Sequence, residues 1–328
     1  MAGRLEVSRL VANAEPEFRA RFLAVVAAIR DRYTLGRLVD LIEAGRTEEV
    51  FRFVEAAAKQ LGMAWSGTYT GAGFEAATAA NRALASVHVA FDQTNARALT
   101  AIRSNQLRLV REFSNEQRRA TQQALIEGVR AGANPIEQAR AFRQSIGLTS
   151  YQERAVANYR RALQAGSSDA LTRELRDRRF DRTVSAAVDG NTALTGAQID
   201  AMVERYRERY IKYRAEVIAR TESLTAAHEG ANEAFKQAVE SGDVQAGQIQ
   251  RTWNTAEDAR VRDSHDAMDG QVVEGVDEPF VSGDGNRLRY PGDPAAPPED
   301  RIQCRCSVST RILPAPSDAP ARISVFEG

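Results

Sequence analysis

The sequence predicts a mainly α-helical protein, in which an extended N-terminal helical body and a long helix precede a small, loop-rich α+β module at the C-terminal end. Three observations carry this prediction. Aromatic residues make up only 7% of the 328 residues, whereas helix-favouring alanine, leucine, arginine and glutamate are plentiful. Apolar residues recur at helical spacing through most of residues 1–240. Beyond them, glycine, proline and aspartate become frequent and both cysteines appear.

We divide the chain into four parts. Residues 1–190 form the helical N-terminal body, 191–241 a long helix that leads to the C-terminal module, 242–313 the module itself, and 314–328 a proline-containing flexible tail. A hydrophobic content of 43% lets a chain of this length bury a core. No window of about 18 apolar residues occurs, and the N-terminus lacks a secretory signal, so we expect no contact with a membrane.

The first 131 residues carry the apolar spacing of four helices. These are a helix that begins near Pro16 and three more over Leu38–Leu61, Phe74–Ile102 and Leu107–Ala131. Proline is favourable in the first turn of a helix, which supports the first assignment. Gly62 and the glycines of residues 67–73 should interrupt the helical pattern between the second and third helices.

Two capping signals predict the shorter helices that follow. Asn134 precedes a proline, which predicts a helix over residues 135–145, and Thr149 begins another helix. Residues 176–182 (RDRRFDR) then form a charged connector. Its arginines either remain solvated or contact phosphate, and they are Arg176, Arg178, Arg179 and Arg182.

The long helix has the clearest start signal in the chain. Thr195 and Gln198 match a capping box, in which each side chain bonds the backbone amide of the other residue. An apolar stripe continues from there to about Val239. A run of roughly 40 residues is long for a globular helix, so we expect either a break between Thr221 and Gly230 or a partner helix.

Charge is unevenly distributed although the net charge is zero. Residues 101–182 contain 16 arginines and 9 acidic residues, whereas residues 241–300 contain 13 acidic residues and 5 arginines. This asymmetry would steer nucleic acid to one end of the protein or pair subunits head to tail, or it reflects two solvated faces.

Chemically specific side chains are concentrated in the C-terminal module. Trp253 lies in a predicted strand and should fill a small core. Asp258 and Arg262 are four residues apart and should pair in a short helical turn. Gly270 should end that turn before a further strand, and residues 304–310 read as the closing strand.

His265, Cys304 and Cys306 would converge if the closing strand lies beside the helical turn. Two thiolates and an imidazole supply three of the four ligands that zinc prefers, with Asp258 or another nearby aspartate as the fourth. A disulfide between Cys304 and Cys306 would be strained, so free or metal-bound thiols are expected. The alternative is that both cysteines pack as apolar residues and that His265 forms a structural hydrogen bond.

Arg220 and Glu222 lie in the long helix, two residues apart, so their side chains do not face each other. A buried charge without a partner is costly. We therefore expect both residues to anchor the C-terminal module by bonding its aspartates or backbone carbonyls; a catalytic role for Glu222 is the alternative.

One series of residues resembles a known family. It is Ile218-Ala219-Arg220-Thr221-Glu222, Ala227, Asn232, Trp253, Asp258, Arg260-Val261-Arg262, His265, Gly270, Phe280, Tyr290-Pro291-Gly292-Asp293 and Cys304-Arg305-Cys306. Its order and spacing are similar to those of the phage Mu F-like minor head proteins, also called the phage head morphogenesis domain. The resemblance covers roughly residues 195–310.

This resemblance implies a minor head protein of a tailed bacteriophage, made in the host cytoplasm and located in the virion. It implies association with the portal protein or the major capsid protein, contact with packaged DNA, and a role in head assembly and in DNA packaging or ejection. Self-association is a further expectation from the long amphipathic helices. Some family members have a Cys-x-x-Cys near residues 258–265 and a further histidine before the Cys-Arg-Cys, which this chain lacks, so its ligand set is incomplete. No cofactor is therefore expected, and a structural zinc ion is the alternative.

The sequence leaves three classes of function open. The first is a structural virion protein, and the second is a packaging or ejection factor that binds DNA without reading its sequence. The third is a metal-dependent enzyme. The chain contains no nucleotide-binding glycine loop, nucleophile elbow or HExxH motif, so we expect no catalytic residues and no enzymatic activity.

Overall fold

The structure is a computed structural model, described over residues 4–83, 88–130 and 132–314. The helices within these residues are α1 (Val7–Arg32), α2 (Leu35–Glu43), α3 (Glu48–Ala83), α4 (Ala96–Arg130), α5 (Pro135–Ser145), α6 (Ser150–Gln164), α7 (Asp181–Asp189), α8 (Gly196–Glu240), α9 (Asp263–Asp266) and α10 (Pro298–Arg301). The predicted fold class is confirmed. The predicted flexible tail over residues 314–328 lies, apart from Pro314, outside the described residues.

The strands form two antiparallel sheets. All of them come from the C-terminal part of the chain except one N-terminal strand, which belongs to the larger sheet. They are β1 (Arg4–Glu6), β2 (Ile249–Asn254), β3 (Val272–Glu274), β4 (Phe280–Val281), β5 (Arg287–Leu288) and β6 (Ser307–Ile312). The larger sheet has the order β1-β6-β2-β3, and β4 pairs with β5 in the smaller one. Trp253 of β2 lies opposite Val308 of β6 in this register.

The described chain divides into two compact units. One, here called the sheet unit, comprises Met1–Asn13, Gly67–Leu99 and Thr221–Gly328 and contains both sheets. The other, here called the helical unit, comprises Ala14–Ser66 and Thr100–Arg220. α1, α3, α4 and α8 each contribute residues to both units. The four-part division made from the sequence stays a prediction.

Among the described residues, the helical unit has an apolar core built from the buried faces of α1, α2, α5, α6, α7, α8 and the parts of α3 and α4 that belong to it. Phe22 packs edge-on against Phe113, and Phe51 stacks on Phe142. Arg214 is buried with its guanidinium over the rings of Phe22 and Phe113, and it donates to the carbonyl of Gly147. Burial lowers the pKa of Arg214 to about 10.

The capping signals read from the sequence are confirmed. Asn134 caps α5 and Thr149 caps α6, each with a reciprocal bond from the third helical residue. Thr195 and Gln198 exchange the same two bonds at the start of α8. Such caps can be predicted from the sequence because the donor and the acceptor are only three residues apart.

The predicted boundaries of the second and third helices are wrong. Gly45, at φ 66°, ends α2 and separates it from α3, since a left-handed residue closes a helix. The predicted helix over Phe74–Ile102 is interrupted after α3 ends at Ala83. The amide side chain of Asn81 bonds both the N–H and the carbonyl of Val89, at 2.6 and 2.9 Å, which holds Val89 in a non-helical conformation.

Glycines that were expected to interrupt helices lie inside them, and several are packing positions. α3 runs through all of its glycines, and a Cβ atom on Gly73 would lie 2.6 Å from the ring of Phe91. α8 is likewise unbroken through Gly230, where a Cβ atom would lie 2.0 Å from the carbonyl oxygen of Tyr69 in α3. Of the two alternatives expected for α8, a break or a partner helix, the break is absent, and Gly230 lies against Tyr69 of a neighbouring helix, α3.

The sheet unit packs around the C-terminal half of α8. Nearly every residue of α8 from Thr221 to Ala238 is buried. A helix that is buried on all sides draws its stability from packing rather than from an apolar stripe, so length alone does not force a break. No described helix is long and apolar enough to cross a membrane.

Candidate metal centre

Three metal-binding side chains meet inside the sheet unit, as the sequence predicted. His265 lies in α9, and Cys304 and Cys306 lie in the segment between α10 and β6. Their ligand atoms are all within 4.8 Å of one another. The Nδ1 atom of His265 is 3.5 Å from the sulfur of Cys304 and 3.5 Å from that of Cys306. Both cysteines are free thiols.

Two residues that were not foreseen orient the imidazole. The Nε2 atom of His265 is 3.2 Å from Oδ1 of Asp300, which lies in the short helix α10. Asn286 donates from Nδ2 to the other carboxylate oxygen of Asp300, at 2.8 Å. Asp300 therefore holds the ring so that Nδ1 remains directed at the two sulfurs, the arrangement that commonly supports metal-bound histidines.

The cluster is closed to solvent. His265, Cys304 and Asp300 are each 1% exposed. The indole of Trp253 packs edge-on against the His265 ring, with centroids 5.6 Å apart, and the ring of Phe280 also packs against this indole. Trp253 thus fills the small core, as predicted, and also walls the cluster.

A turn at Gln303 delivers the cysteines to this position. Gln303 has φ 58°, a left-handed conformation that costs a non-glycine residue about 1 kcal/mol or more. Its N–H donates to Oγ1 of Thr221 in α8, at 3.1 Å, and Arg262 donates to the carbonyl of the preceding Ile302. These bonds fix the turn and set the direction in which Cys304 leaves it.

The protons of the three side chains are coupled. The pKa of Cys304 lies well below its usual value, because the thiol of Cys306 donates to its sulfur and because His265 lies beside it. The same shared bond and burial raise the pKa of Cys306. Burial lowers the pKa of His265, but the bond and charge of Cys304 outweigh this effect and leave that pKa raised. The group therefore favours a thiolate beside an imidazolium.

This arrangement has two chemical uses in proteins. A thiolate, an imidazole and a carboxylate in a row resemble a nucleophilic catalytic group, but such a group must be open to its substrate. Cys304 and His265 are each only 1% exposed, so a substrate would have no access to them. Soft thiolates and a neutral imidazole are also ligands for zinc, for which burial is no obstacle.

Asp258 does not belong to the cluster. Its carboxylate accepts both terminal nitrogens of Arg305 and the backbone N–H of Arg260. The predicted pairing of Asp258 with Arg262 in a helical turn is wrong, because α9 begins only at Asp263 and Arg262 bonds the carbonyl of Ile302. Asp258 and Arg305 instead fasten the loop before α9 to the segment that carries the cysteines.

Arg220 has a different partner from the one predicted. It forms an ion pair with Glu15 of α1 at 3.0 Å, so the partner of its guanidinium is a glutamate of the helical unit. Glu222 is buried, and its role as an anchor of the C-terminal module stays a prediction.

The anchors of the loops on α8 include neutral side chains that the sequence analysis missed. Thr221 accepts from Gln303, Thr225 donates to the carbonyl of Gly292 at 2.8 Å, and Nε2 of His228 accepts from the N–H of Val308 at 3.1 Å. They lie on one helix face, at intervals of four and three residues. The spacing of Thr221, Thr225 and His228 on one helix face was the signal available in the sequence.

The arginines proposed to contact DNA at residues 176–182 are partly engaged within the protein. Arg176 pairs with Asp181 through two bonds of 2.9 Å, and Arg179 pairs with Asp177. Arg178 and Arg182 are exposed. The connector itself contains a short 3₁₀ turn and the start of α7.

Comparison with family models identified a family that this chain matches. The family model described as "Phage Mu protein F like protein" matches residues 119–309, which is more than half of the chain and includes the whole cluster. No curated protein and no solved structure matched the chain.

Proposed function

The chain belongs to the phage Mu protein F like family, a family of phage head morphogenesis proteins, and we propose that it is a minor head protein that associates with the portal or inner capsid during head assembly. The family match over residues 119–309 is the observation that carries the proposal. It implies a location in the virion.

We further propose that the protein acts without catalysis. The side chains with the greatest catalytic capacity in the sheet unit, His265 and Cys304, are sealed in its core. Buried polar groups of the same unit, such as Thr225 and His228, bond backbone atoms of neighbouring loops. Such contacts stabilise a shape, which is what a protein that works by fitting against other head proteins requires.

The test of this function uses particles of the phage that encodes the protein. Purified virions should contain the protein in a few copies, detectable by antibody after density-gradient separation. Particles made without it should show arrested or empty heads by electron microscopy. Absence of the protein from finished and immature heads, or normal infectious heads without it, would contradict the proposal.

A second function, contact with packaged DNA, is supported by one feature of the helical unit. Arg30, Arg140 and Arg143 line a cavity of about 310 Å³, beside Glu204. Nε of Arg30 is buried there without a hydrogen-bond partner among the described residues. Burial lowers the pKa of Arg30; Glu204 opposes this effect, and the neighbouring Arg207 and Arg143 add to it. A phosphate group would add negative charge beside three arginines and one glutamate, and it would supply an acceptor for Nε of Arg30.

The second function predicts salt-dependent binding of random-sequence duplex DNA. Replacing Arg140 and Arg143 together by glutamine should weaken binding and reduce the slope of log affinity against log salt by about 2, because about two fewer phosphates would be neutralised. Arg119→Gln is the matched control, because Arg119 is exposed and already pairs with Glu116. Fluorescence anisotropy that detects no binding at low salt would exclude this function and leave the structural one standing.

A further inference from the structure

We propose that His265, Cys304 and Cys306 bind one zinc ion, which joins α9 to the segment before β6 and holds the sheet unit closed. The three side chains are the group of potential metal ligands found among the described residues. They come from positions 39 and 41 residues apart along the chain, so an ion between them crosslinks two distant stretches.

The distances fit zinc. A tetrahedral zinc ion holds sulfur at about 2.3 Å and nitrogen at about 2.0 Å, which separates a sulfur ligand from a nitrogen ligand by about 3.5 Å. The separation is 3.5 Å for both sulfurs from the same Nδ1 atom of His265. A single hydrogen bond would explain one such distance. Two equal distances to one nitrogen are what a shared ion between the three atoms requires.

The surroundings of the imidazole also match a metal site. A zinc-bound histidine usually donates its second ring nitrogen to a carboxylate, which fixes the tautomer and makes the first nitrogen a better ligand. Asp300 takes that place at Nε2 of His265, at 3.2 Å, and Asn286 holds Asp300 from behind at 2.8 Å. The buried carboxylate of Asp300 thus has the role that a metal-bound histidine requires of it.

Three protein ligands leave one position of a tetrahedral ion for a water molecule. Because His265, Cys304 and Cys306 are between 1% and 3% exposed, that water would be enclosed and no substrate would reach it. The ion would therefore act structurally. Its removal would release the segment around Cys304 from α9, although the bonds of Asp258 to Arg305 would remain.

Metal analysis of the full-length protein tests the assignment. After incubation with zinc and removal of the unbound metal, we expect one zinc ion per chain, and the cobalt-substituted protein should show thiolate-to-metal charge-transfer absorption. Folded protein, verified by circular dichroism, that retains no zinc would overturn the proposal. Retention of copper(I) but not of zinc would overturn the choice of metal.

Variants separate ligation from packing. Cys304→Ser and Cys306→Ser should each lose zinc, and Asp300→Asn, which leaves all three ligands in place, should weaken zinc binding by about 10- to 100-fold. Asp277→Asn is the control, since it removes a carboxylate that pairs with Lys236 in the same unit and lies outside the cluster. If Asp300→Asn binds zinc like the wild type, or Asp277→Asn weakens it equally, the proposed site is wrong. These measurements need no phage particle, so their outcome is independent of the function in head assembly.

Discussion

Substituting alanine for Gly230 should disrupt the contact between α3 and α8 in the sheet unit. The added Cβ atom would lie 2.0 Å from the carbonyl oxygen of Tyr69, 2.8 Å from its carbonyl carbon and 3.0 Å from its Cα atom. All three are backbone atoms, so no side-chain rotation relieves the clash. To restore even a tight contact of 3.0 Å, the two backbones must move apart by about 1 Å.

That displacement affects a closely packed interface. Tyr69 and Ala72 of α3, and Ala227 and Ala231 of α8, are all 4% exposed or less. Overpacking a core generally costs between about 1 and 3 kcal/mol, and a backbone clash belongs at the upper end of this range. We therefore expect Gly230→Ala to lower the free energy of unfolding by about 3 kcal/mol and Tm by on the order of 10 °C.

Gly71→Ala is the matched control, because Gly71 lies in the same helix as Tyr69, is exposed, and has nothing within 4 Å of an added Cβ atom. Alanine is a better helix former than glycine, so this variant should gain about 0.5 to 1 kcal/mol. Thermal unfolding followed by circular dichroism compares the two. The proposed contact would be refuted if the free energy of unfolding of Gly230→Ala were equal to that of the wild type, or at least as high as that of Gly71→Ala.

Two further predictions concern buried polar groups of the sheet unit. Burial lowers the pKa of His228 to about 4, so the unfolded chain, at about 6.5, takes up the proton first. Stability should therefore fall by about 3 kcal/mol between pH 6.5 and 4, and urea unfolding of His228→Gln should lack this component. Arg251 donates to the carbonyls of Gly275, Glu278 and Arg289. Arg251→Met should cost about 3 kcal/mol in the same assay, whereas Arg311→Met, at an exposed position, should cost less than about 0.5.

The parts of the fold that could be predicted from the sequence depend on residues close together in the chain. The caps at Asn134, Thr149 and Thr195 were found because each involves a bond over three residues. The break near Val89 was missed because it depends on Asn81, eight residues earlier, whose amide replaces two helical backbone bonds. An asparagine in a helical pattern gives no indication of which distant backbone it will satisfy.

The candidate site shows the same limit at longer range. Convergence of His265 with the two cysteines was predicted because histidine and cysteine are rare in this chain and occur in the same module. Asp300 and Asn286 were missed because the C-terminal module is rich in acidic residues, and nothing in the sequence distinguishes the one that bonds Nε2. Asp258 was chosen for its nearness in sequence, but its charge is taken up by Arg305.

The residues that carry the family resemblance have structural tasks that explain their types. Gly292 has φ 81°, and a Cβ atom there would meet the backbone and hydroxyl of Thr225 at 3.0 to 3.2 Å, so only glycine fits. Asp293 is 1% exposed and bonds Arg289 through both oxygens. Burial would raise the pKa of Asp293, but those bonds outweigh it and keep the carboxylate charged.

Several of the residues in this series hold a loop against another element. Trp253 fills the core, Thr221 accepts from the backbone N–H of Gln303, and Arg305 fastens the segment that carries the cysteines. These contacts hold the loops of the module in place. They support the proposal that the protein acts by fitting against neighbouring head proteins.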